Sequence, residues 1–446
     1  MWLCSPSTFQ PSQTVGQPVL VMQPSDLPLH AYGFVLSIIP GLSHSAPPEV
    51  PLSLGFVLLT TSIISLTWHP SPTWAIILRS ALAPLAIYFF LIHAFWPYDT
   101  AGVGVDVGFA TIGLYWIMRV VETTFVGFMD ERPPHWIVEG KEVPLPRTFM
   151  GRLAYSIDLA SSLRGTSWFS KTHWDWAPKA LLNSPARLMS RTQFLWLGIR
   201  PLILQYLAMD VIDAIQKSRN WDQSNPHSIT SLPWHEQLVF SVSVCAQTVL
   251  RMTVLYTLFS CICVTLGSYP ESWPPMFDAP FSASSLADFW TRRWHTLFRR
   301  VFDRLSKPIL HILINPRSTP PSLAQRTVRS VVIFGISALV HMLLMYRIDM
   351  LETEYPRRFL DRSILKFFLS QPVGLILEEL VVLPARNTFV PVGWRGATSR
   401  LYTWVFLSWS GRFWSDAWVH RGFWDEKERA IWWSVVRGVL YGKWAV

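Results

Sequence analysis

Two histidines in unusual surroundings are the residues of this sequence best suited to do chemistry. His295 ends the stretch Leu286-Ala-Asp-Phe-Trp-Thr-Arg-Arg-Trp-His295, which combines aromatic rings with arginines. His341 is the one charge-capable side chain in the apolar interior of the segment Val328–Tyr346. Ionisable groups inside a membrane are costly and normally face a bundle interior or a water-filled cavity. A neutral imidazole in such a place can act as a general base near neutral pH.

Ser337 precedes His341 by one helical turn and lies on the same helix face. We expect it to orient the imidazole ring or to line a pocket. The alternative for His341 is a core histidine that is hydrogen-bonded to a neighbouring carbonyl, and its spacing from Ser337 does not decide between the two.

Further polar side chains interrupt the apolar segments near the C-terminus. Gln371, Glu378 and Glu379 share one such segment, and the spacing of seven residues puts Gln371 and Glu378 on one helix face. They either line an acceptor pocket or form structural pairs, with Arg251 as one possible partner, and structural pairing is favoured. Arg412 either approaches the same pocket or extends its charged end towards water.

Composition indicates the elements that must position these residues. Half of the 446 residues are apolar and only 15% are charged, which is too apolar for an ordinary soluble enzyme. Apolar runs of about 20 residues are long enough to cross a bilayer as helices. Since backbone groups in lipid must be paired internally, we predict an all-α, polytopic helical bundle. Eight spans are predicted: Leu52–Trp68, Trp74–Trp96, Val103–Gly127, Phe194–Ile215, Leu238–Gly267, Val328–Tyr346, Ile364–Leu383 and Leu401–Val419.

The N-terminal region is treated separately. Residues 1–30 are rich in Pro, Ser and Gln and are predicted to form a disordered or peripheral tail. Residues 31–42 are apolar but short, so a ninth span depends on whether they cross the bilayer. We predict that residues 31–446 form a single integral-membrane domain. No basic stretch precedes the first apolar run, so no cleavable signal peptide is expected.

The net charge of +9 is explained by basic loops that orient the protein in a membrane, rather than by binding to nucleic acid. Nine Lys or Arg residues lie between Met129 and Gln193, and eight lie between Ser268 and Thr327. Two predicted spans separate these loops, so both must lie on one side of the membrane. The positive-inside rule predicts that this side is the cytosol. The loop between Arg347 and Ser363 is then lumenal.

Other chemistries find few residues to support them. The four cysteines fit neither a disulfide framework nor a zinc site, and no cluster of His, Cys and carboxylates has metal-ligand spacing. There is no Gly-x-Ser-x-Gly elbow, glycine-rich dinucleotide motif or P-loop. We therefore expect neither a bound metal nor a permanent cofactor.

Two motifs together resemble a known family. Phe289-Trp290-Thr-Arg-Arg-Trp294-His295 and Phe334-Gly-Ile-Ser337-Ala-Leu-Val-His341, in this order, are similar to the wax synthase-like branch of the membrane-bound O-acyltransferases. The resemblance covers about residues 284–412. Fungal members of this branch include acetyltransferases that modify terpenoid and meroterpenoid secondary metabolites.

The resemblance implies an enzyme that uses acetyl-CoA, or another acyl-CoA, as co-substrate and a hydrophobic alcohol as acceptor. His341 would be the base, and His295 would hold the acyl group or polarise its carbonyl. Arg292 and Arg293 would bind the phosphates of coenzyme A, because guanidinium pairs well with phosphate. Trp290 and Trp294 would flank the pantetheine arm or pack the motif. The expected location is the endoplasmic reticulum membrane, where other membrane-bound pathway enzymes are possible partners.

Three alternative functions remain open. One is a long-chain acyltransferase that makes wax or sterol esters. Another is a membrane terpenoid cyclase, which needs an acid and would place Glu378 or Glu379 at its centre. The third is a transporter, which would show paired halves with broken helices, and the sequence has no such symmetry.

Overall fold

The structure is a computed structural model, and it describes most of the chain after residue 48. The described residues are 49–68, 72–96, 103–168, 171–178, 182, 189–217, 228–314, 322–351, 359–421, 431 and 433–444. The predicted N-terminal tail and the short apolar run 31–42 lie outside the described residues, as do residues 352–358 of the predicted lumenal loop.

The described chain is dominated by helices formed from its apolar runs. The helices are α1 Glu49–Ile64, α2 Pro72–Phe95, α3 Val103–Thr124, α4 Phe149–Ser161, α5 Arg191–Ile199, α6 Leu202–Gln216, α7 Trp234–Thr265, α8 Leu286–Asp288, α9 Arg299–Leu313, α10 Leu323–Leu351, α11 Arg362–Leu377, α12 Leu383–Phe389, α13 Arg395–Val419 and α14 Val435–Tyr441. Two π-helical segments, Phe289–Arg293 and Glu378–Val382, continue α8 and α11.

Seven helical segments of the described chain are long and apolar enough to cross a membrane. They are Glu49–Thr67, Thr73–Phe95, Val107–Met129, Arg191–Gln216, Trp234–Thr265, Leu323–Asp349 and Arg362–Phe389. The prediction of an all-α polytopic membrane bundle is confirmed. The eighth predicted span, Leu401–Val419, lies within α13, a helix of 25 residues that carries several serines and charged side chains and is less apolar than the others.

A small antiparallel sheet was not predicted from the sequence. It contains β1 Trp136–Val138, β2 Lys141–Glu142 and β3 His173–Trp174, in the order β2-β1-β3. Its strands are only two or three residues long, too short to show alternating hydrophobicity. The sheet is stabilised by packing, since the ring centroids of Trp136 and Trp174 each lie within 5.4 Å of the Tyr155 ring on α4.

Two buried apolar clusters meet at the segment that carries the histidine motifs. One joins α7, α10, α11 and α13 and includes Ala338 and Phe368; Trp290 packs against it. The other joins α3, α9 and α10 and includes Val340; Phe298 packs against it. The chain from Trp290 to Phe298, which contains His295, is therefore held between these two parts of the bundle.

Buried ion pairs tie α9 to α3. Glu122 on α3 is 1% exposed and pairs with Arg119 on its own helix. From α9, Arg300 approaches it at 2.8 Å and Arg304 at 3.8 Å. Arg304 also pairs with Asp130, just beyond α3. A buried carboxylate surrounded by several cations fixes the position of the helix that follows His295.

Candidate active site

His341 lies inside the bundle on α10, and one of its ring nitrogens already has a partner. Its Nδ1 lies 2.8 Å from the backbone carbonyl oxygen of Ser337, one turn earlier. A carbonyl can only accept a hydrogen bond, so Nδ1 carries the proton in the neutral ring and Nε2 keeps its lone pair. The Phe368 ring packs beside the imidazole with a centroid distance of 4.6 Å. The arrangement leaves Nε2 available as a base.

His295 comes directly after the π-helical turn and has aromatic neighbours. The rings of Phe277 and Phe298 both lie 5.9 Å from its own, and that of Trp294 lies at 5.6 Å. Its Nδ1 is buried and has no hydrogen-bond partner within the described part of the chain. Burial, with a smaller contribution from the nearby His341, lowers the pKa of His295 to about 4. The ring is therefore neutral at physiological pH and has a polar atom free for a ligand.

Both histidines line one large cavity of about 2670 Å³, here called the histidine cavity. Ser337, Trp290 and Trp294 belong to the same wall, as do side chains of α3, α6, α7, α9 and α13. Residues 46 positions apart in the sequence are thus brought together at a space large enough for two substrates.

Arg292 and Arg293 are engaged with acidic neighbours instead. Arg292 lies 3.1 Å from Asp278 and 3.5 Å from Asp288, and Arg293 forms a 2.6 Å bond to Asp288. Burial would raise the pKa of Asp288, but hydrogen bonds from Ser284 and Arg293 outweigh it and lower that pKa. Neither arginine belongs to the described wall of the histidine cavity. The predicted role in binding the phosphates of coenzyme A gains no support from these contacts.

Other cations line the histidine cavity and were not singled out from the sequence. Six of them lie on α9 or at the start of α10: Arg299, Arg300, Arg304, Lys307, Arg326 and Arg329. Four of the six are paired with the carboxylates of Glu122, Asp130, Asp303 or Glu379. Within the described chain Arg299 and Lys307 form no ion pair; Arg299 donates to the carbonyl oxygen of Thr291 at 2.9 Å. The excess of arginine between Ser268 and Thr327 was visible in the sequence. The sequence did not show which of these side chains face the cavity.

The polar residues of α11 have structural partners. The Glu378 carboxylate accepts hydrogen bonds from the backbone N–H groups of Leu286 and Ala287, and Gln371 accepts one from Trp290. The favoured interpretation as structural pairs agrees with these contacts, although their partner is the histidine motif rather than Arg251. Glu379 pairs with Arg326 at 2.6 Å.

Because Glu378 and Glu379 are both engaged in these contacts, neither offers the free acid that a cyclase requires.

Arg412 also has a structural partner, since it donates to the side chain of Gln237 at 2.9 Å and packs 4.9 Å from the Phe413 ring. It does not belong to the described wall of the histidine cavity, so the predicted pocket role for Arg412 gains no support here.

Apolar helices around a cavity that holds two neutral histidines define an integral membrane protein with an internal polar site. The description "Membrane bound O-acyl transferase family" applies to the sequence model that matches residues 273–369. The match includes both histidines and most of the motif region, and it confirms the predicted resemblance to this family.

Several curated fungal proteins are similar to this chain. Acetyltransferase ataH of Aspergillus terreus is 35% identical over 161 residues, which are 35% of this chain and 50% of that protein. Acetyltransferase eriL of Hericium erinaceus is 23% identical over 66% of this chain and 73% of its own length. O-Mevalon transferase yanI of Aspergillus niger is 24% identical over 51% of this chain and 52% of its own length. The match thus spans only half the length of the first and third of these relatives.

Proposed function

We propose that this protein is a membrane-bound O-acyltransferase. It transfers an acyl group, most simply acetyl, from acyl-CoA to a hydroxyl of a hydrophobic acceptor of the terpenoid or meroterpenoid class. The observation that carries the proposal is the pair of neutral histidines in one cavity. His341 has its base nitrogen free, and His295 has a buried nitrogen without a partner in the described chain. The acyltransferase family match covers both residues.

The proposed reaction is a direct transfer without a covalent enzyme intermediate. Nε2 of His341 takes the hydroxyl proton of the acceptor while the oxygen attacks the thioester carbonyl carbon. An N–H of His295 donates to the carbonyl oxygen, where negative charge develops. The carbon–sulfur bond then breaks, and the thiolate of coenzyme A takes the proton from His341. The products are the ester and free coenzyme A, and His341 returns to its neutral form.

Arg299 and Lys307 are the residues that we assign to the phosphates of the donor. Both line the histidine cavity and both are exposed, so a phosphate can reach them. Their neighbours Arg300 and Arg304 are held by Glu122, which leaves them less able to take a new anion. This assignment replaces Arg292 and Arg293, whose charges are balanced by Asp278 and Asp288.

The acceptor side of the cavity is apolar. Leu207 on α6, Met252 and Leu255 on α7, and Trp414 on α13 contribute to it. These side chains suit a hydrophobic ring system that arrives from the bilayer, in keeping with a multi-pass enzyme of the endoplasmic reticulum. The relatives carry both acetyltransferase and mevalon transferase names, so the length of the transferred group is part of the test.

The test uses microsomes that contain the full chain, radiolabelled acyl-CoA and a hydroxylated terpenoid. His341→Ala and His341→Asn should both lose about 10²–10⁴-fold in turnover, because neither side chain can take the proton. His295→Asn should keep measurable activity, since an amide can still donate to the carbonyl. The matched control is His311→Asn on the exposed end of α9, which should turn over normally.

Protein levels are measured for each variant, so that lost chemistry is distinguished from lost protein. Normal turnover by a well-expressed His341→Ala protein would refute the mechanism. Turnover of a long-chain acyl-CoA but not of acetyl-CoA would keep the mechanism and change the donor.

A further inference from the structure

The Glu378 carboxylate reaches across the bundle to the start of the histidine motif. It is 3% exposed and lies at the first position of the π-helical segment after α11. Its two oxygens accept the backbone N–H groups of Leu286 at 2.8 Å and Ala287 at 3.1 Å. Hydrogen bonds to a charged acceptor are stronger than neutral ones. Both oxygens of one side chain therefore hold the backbone where α8 begins.

Gln371 makes the second connection, two turns earlier on the same face of α11. It is fully buried, and its Oε1 accepts the indole N–H of Trp290 at 3.1 Å. Its amide nitrogen donates to the carbonyl oxygen of Phe367 at 2.9 Å, which fixes the orientation of the amide. Trp290 in turn packs against Trp294 at a centroid distance of 5.9 Å, and Trp294 lies beside His295.

Gly374 lies between these two residues on the same face and permits the close approach. A Cβ atom at this position would come within 2.8 Å of the Leu286 side chain and would also clash with Phe406 on α13. The positions Gln371, Gly374 and Glu378 follow the spacing of one helix face. Three contacts thus join this face to the motif. Glu378 binds the backbone at Leu286, Gln371 binds the indole of Trp290, and Gly374 packs against the Leu286 side chain.

We propose that Gln371, Gly374 and Glu378 form a positioning face that holds the segment Leu286–His295 and thereby sets the place of the His295 ring in the histidine cavity. His295 Nδ1 has no hydrogen-bond partner among the described residues, so ring packing and the path of its backbone fix its orientation. This inference rests on the proposed acyl transfer, in which His295 must meet the acyl carbonyl. A displacement of about 1 Å from productive geometry can cost on the order of 100-fold in rate.

The experiment measures steady-state kinetics of acetyl-CoA turnover in microsomes that contain the full chain. Glu378→Gln keeps one acceptor oxygen but places an amide donor against the second backbone N–H. Gln371→Leu and Trp290→Phe each remove one half of the indole hydrogen bond. For each variant, kcat should fall on the order of 10- to 100-fold, while KM for acetyl-CoA stays near its wild-type value. The matched control is Glu142→Gln, a carboxylate that does not line the histidine cavity and whose ion pair with Arg132 is about half exposed, and it should retain wild-type kcat.

A double-mutant cycle separates positioning from general destabilisation. If the hydrogen bond between Gln371 and Trp290 carries the effect, the double variant should be no slower than the slower of the two single variants. Gly374→Ala tests the third contact if Glu378→Gln does not accumulate, and it should lower kcat in the same way. Wild-type kcat in Gln371→Leu and Gly374→Ala, or multiplicative losses in the cycle, would overturn the positioning role. His341→Ala is run in parallel: if the wild type itself shows no transfer, or if His341→Ala turns over normally, the proposed function fails instead.

Discussion

Glu122→Gln is expected to destabilise the bundle strongly, because it removes the only carboxylate that faces three arginines in the described packing of α3 against α9. Glu122 is 1% exposed and Arg119 is fully buried. Arg300 forms an ion pair with the same carboxylate at 2.8 Å and stacks on the Trp176 ring at 3.7 Å. Glutamine has nearly the same shape, so the change removes charge with little change in packing.

The magnitude follows from what remains after the substitution. Removing one partner of a buried ion pair typically costs about 3–5 kcal/mol, since the other charge is left uncompensated in a poorly solvated place. Arg304 keeps Asp130 as a partner, so the loss falls mainly on Arg119 and Arg300. A cost of this size is a large part of the stability of a typical folded protein.

The assay is thermal unfolding of the purified protein in mild detergent, followed by fluorescence-detected size exclusion. Glu142→Gln is the matched control, because its pair with Arg132 is about half exposed on both sides, and it should melt as the wild type does. Glu122→Gln should melt several degrees lower. Adding Arg119→Met should recover part of the loss, because it removes the surplus charge. Equal melting temperatures for Glu122→Gln and the wild type would refute the view that this carboxylate holds α9 in place.

Three further outcomes are expected. Arg299→Gln and Lys307→Gln should each raise KM for acyl-CoA about tenfold or more by removing a charge-assisted bond to phosphate, whereas Arg293→Gln should leave KM unchanged; the reverse pattern would restore the assignment based on the motif. Burial lowers the pKa of His295 from its ordinary 6.5 to about 4, so protonation favours the unfolded chain. The stability that His295 contributes above pH 6.5 should therefore be lost progressively towards pH 4. The melting temperature of His295→Asn should depend less on pH than that of the wild type. Cysteines introduced at Arg147 and Arg293 should label from the same, cytosolic side of sealed microsomes, and labelling from opposite sides would show that a predicted span is wrong.

Local hydrophobicity in the sequence was sufficient to predict the seven described segments that are long and apolar enough to cross a membrane. A run of apolar residues such as Trp74–Trp96 must bury its backbone in lipid as a helix, whatever its neighbours are. The same reasoning drew attention to His341, because an ionisable side chain within an apolar membrane helix is costly and must have a structural or functional role. The motifs around His295 and His341 also indicated a resemblance to this family, and the match over residues 273–369 confirms that resemblance.

The partners of the polar side chains were decided only by tertiary structure. Neighbouring positions on a helix point about 100° apart, so a run of arginines does not indicate which one faces a cavity. The sequence therefore favoured Arg292 and Arg293, whereas in the folded chain Arg299 and Lys307 line the histidine cavity.

Contacts between segments that are distant in the sequence could not be predicted from it either. Glu378 binds the backbone of Leu286 across 92 positions of the chain, and β1 pairs with β3 across a whole helix. Such contacts depend on how helices cross and on the room left by a residue such as Gly374, and local periodicity contains neither. The sequence by itself determined seven membrane helices and singled out the two histidines as candidates, whereas packing between the helices decided which side chains surround them.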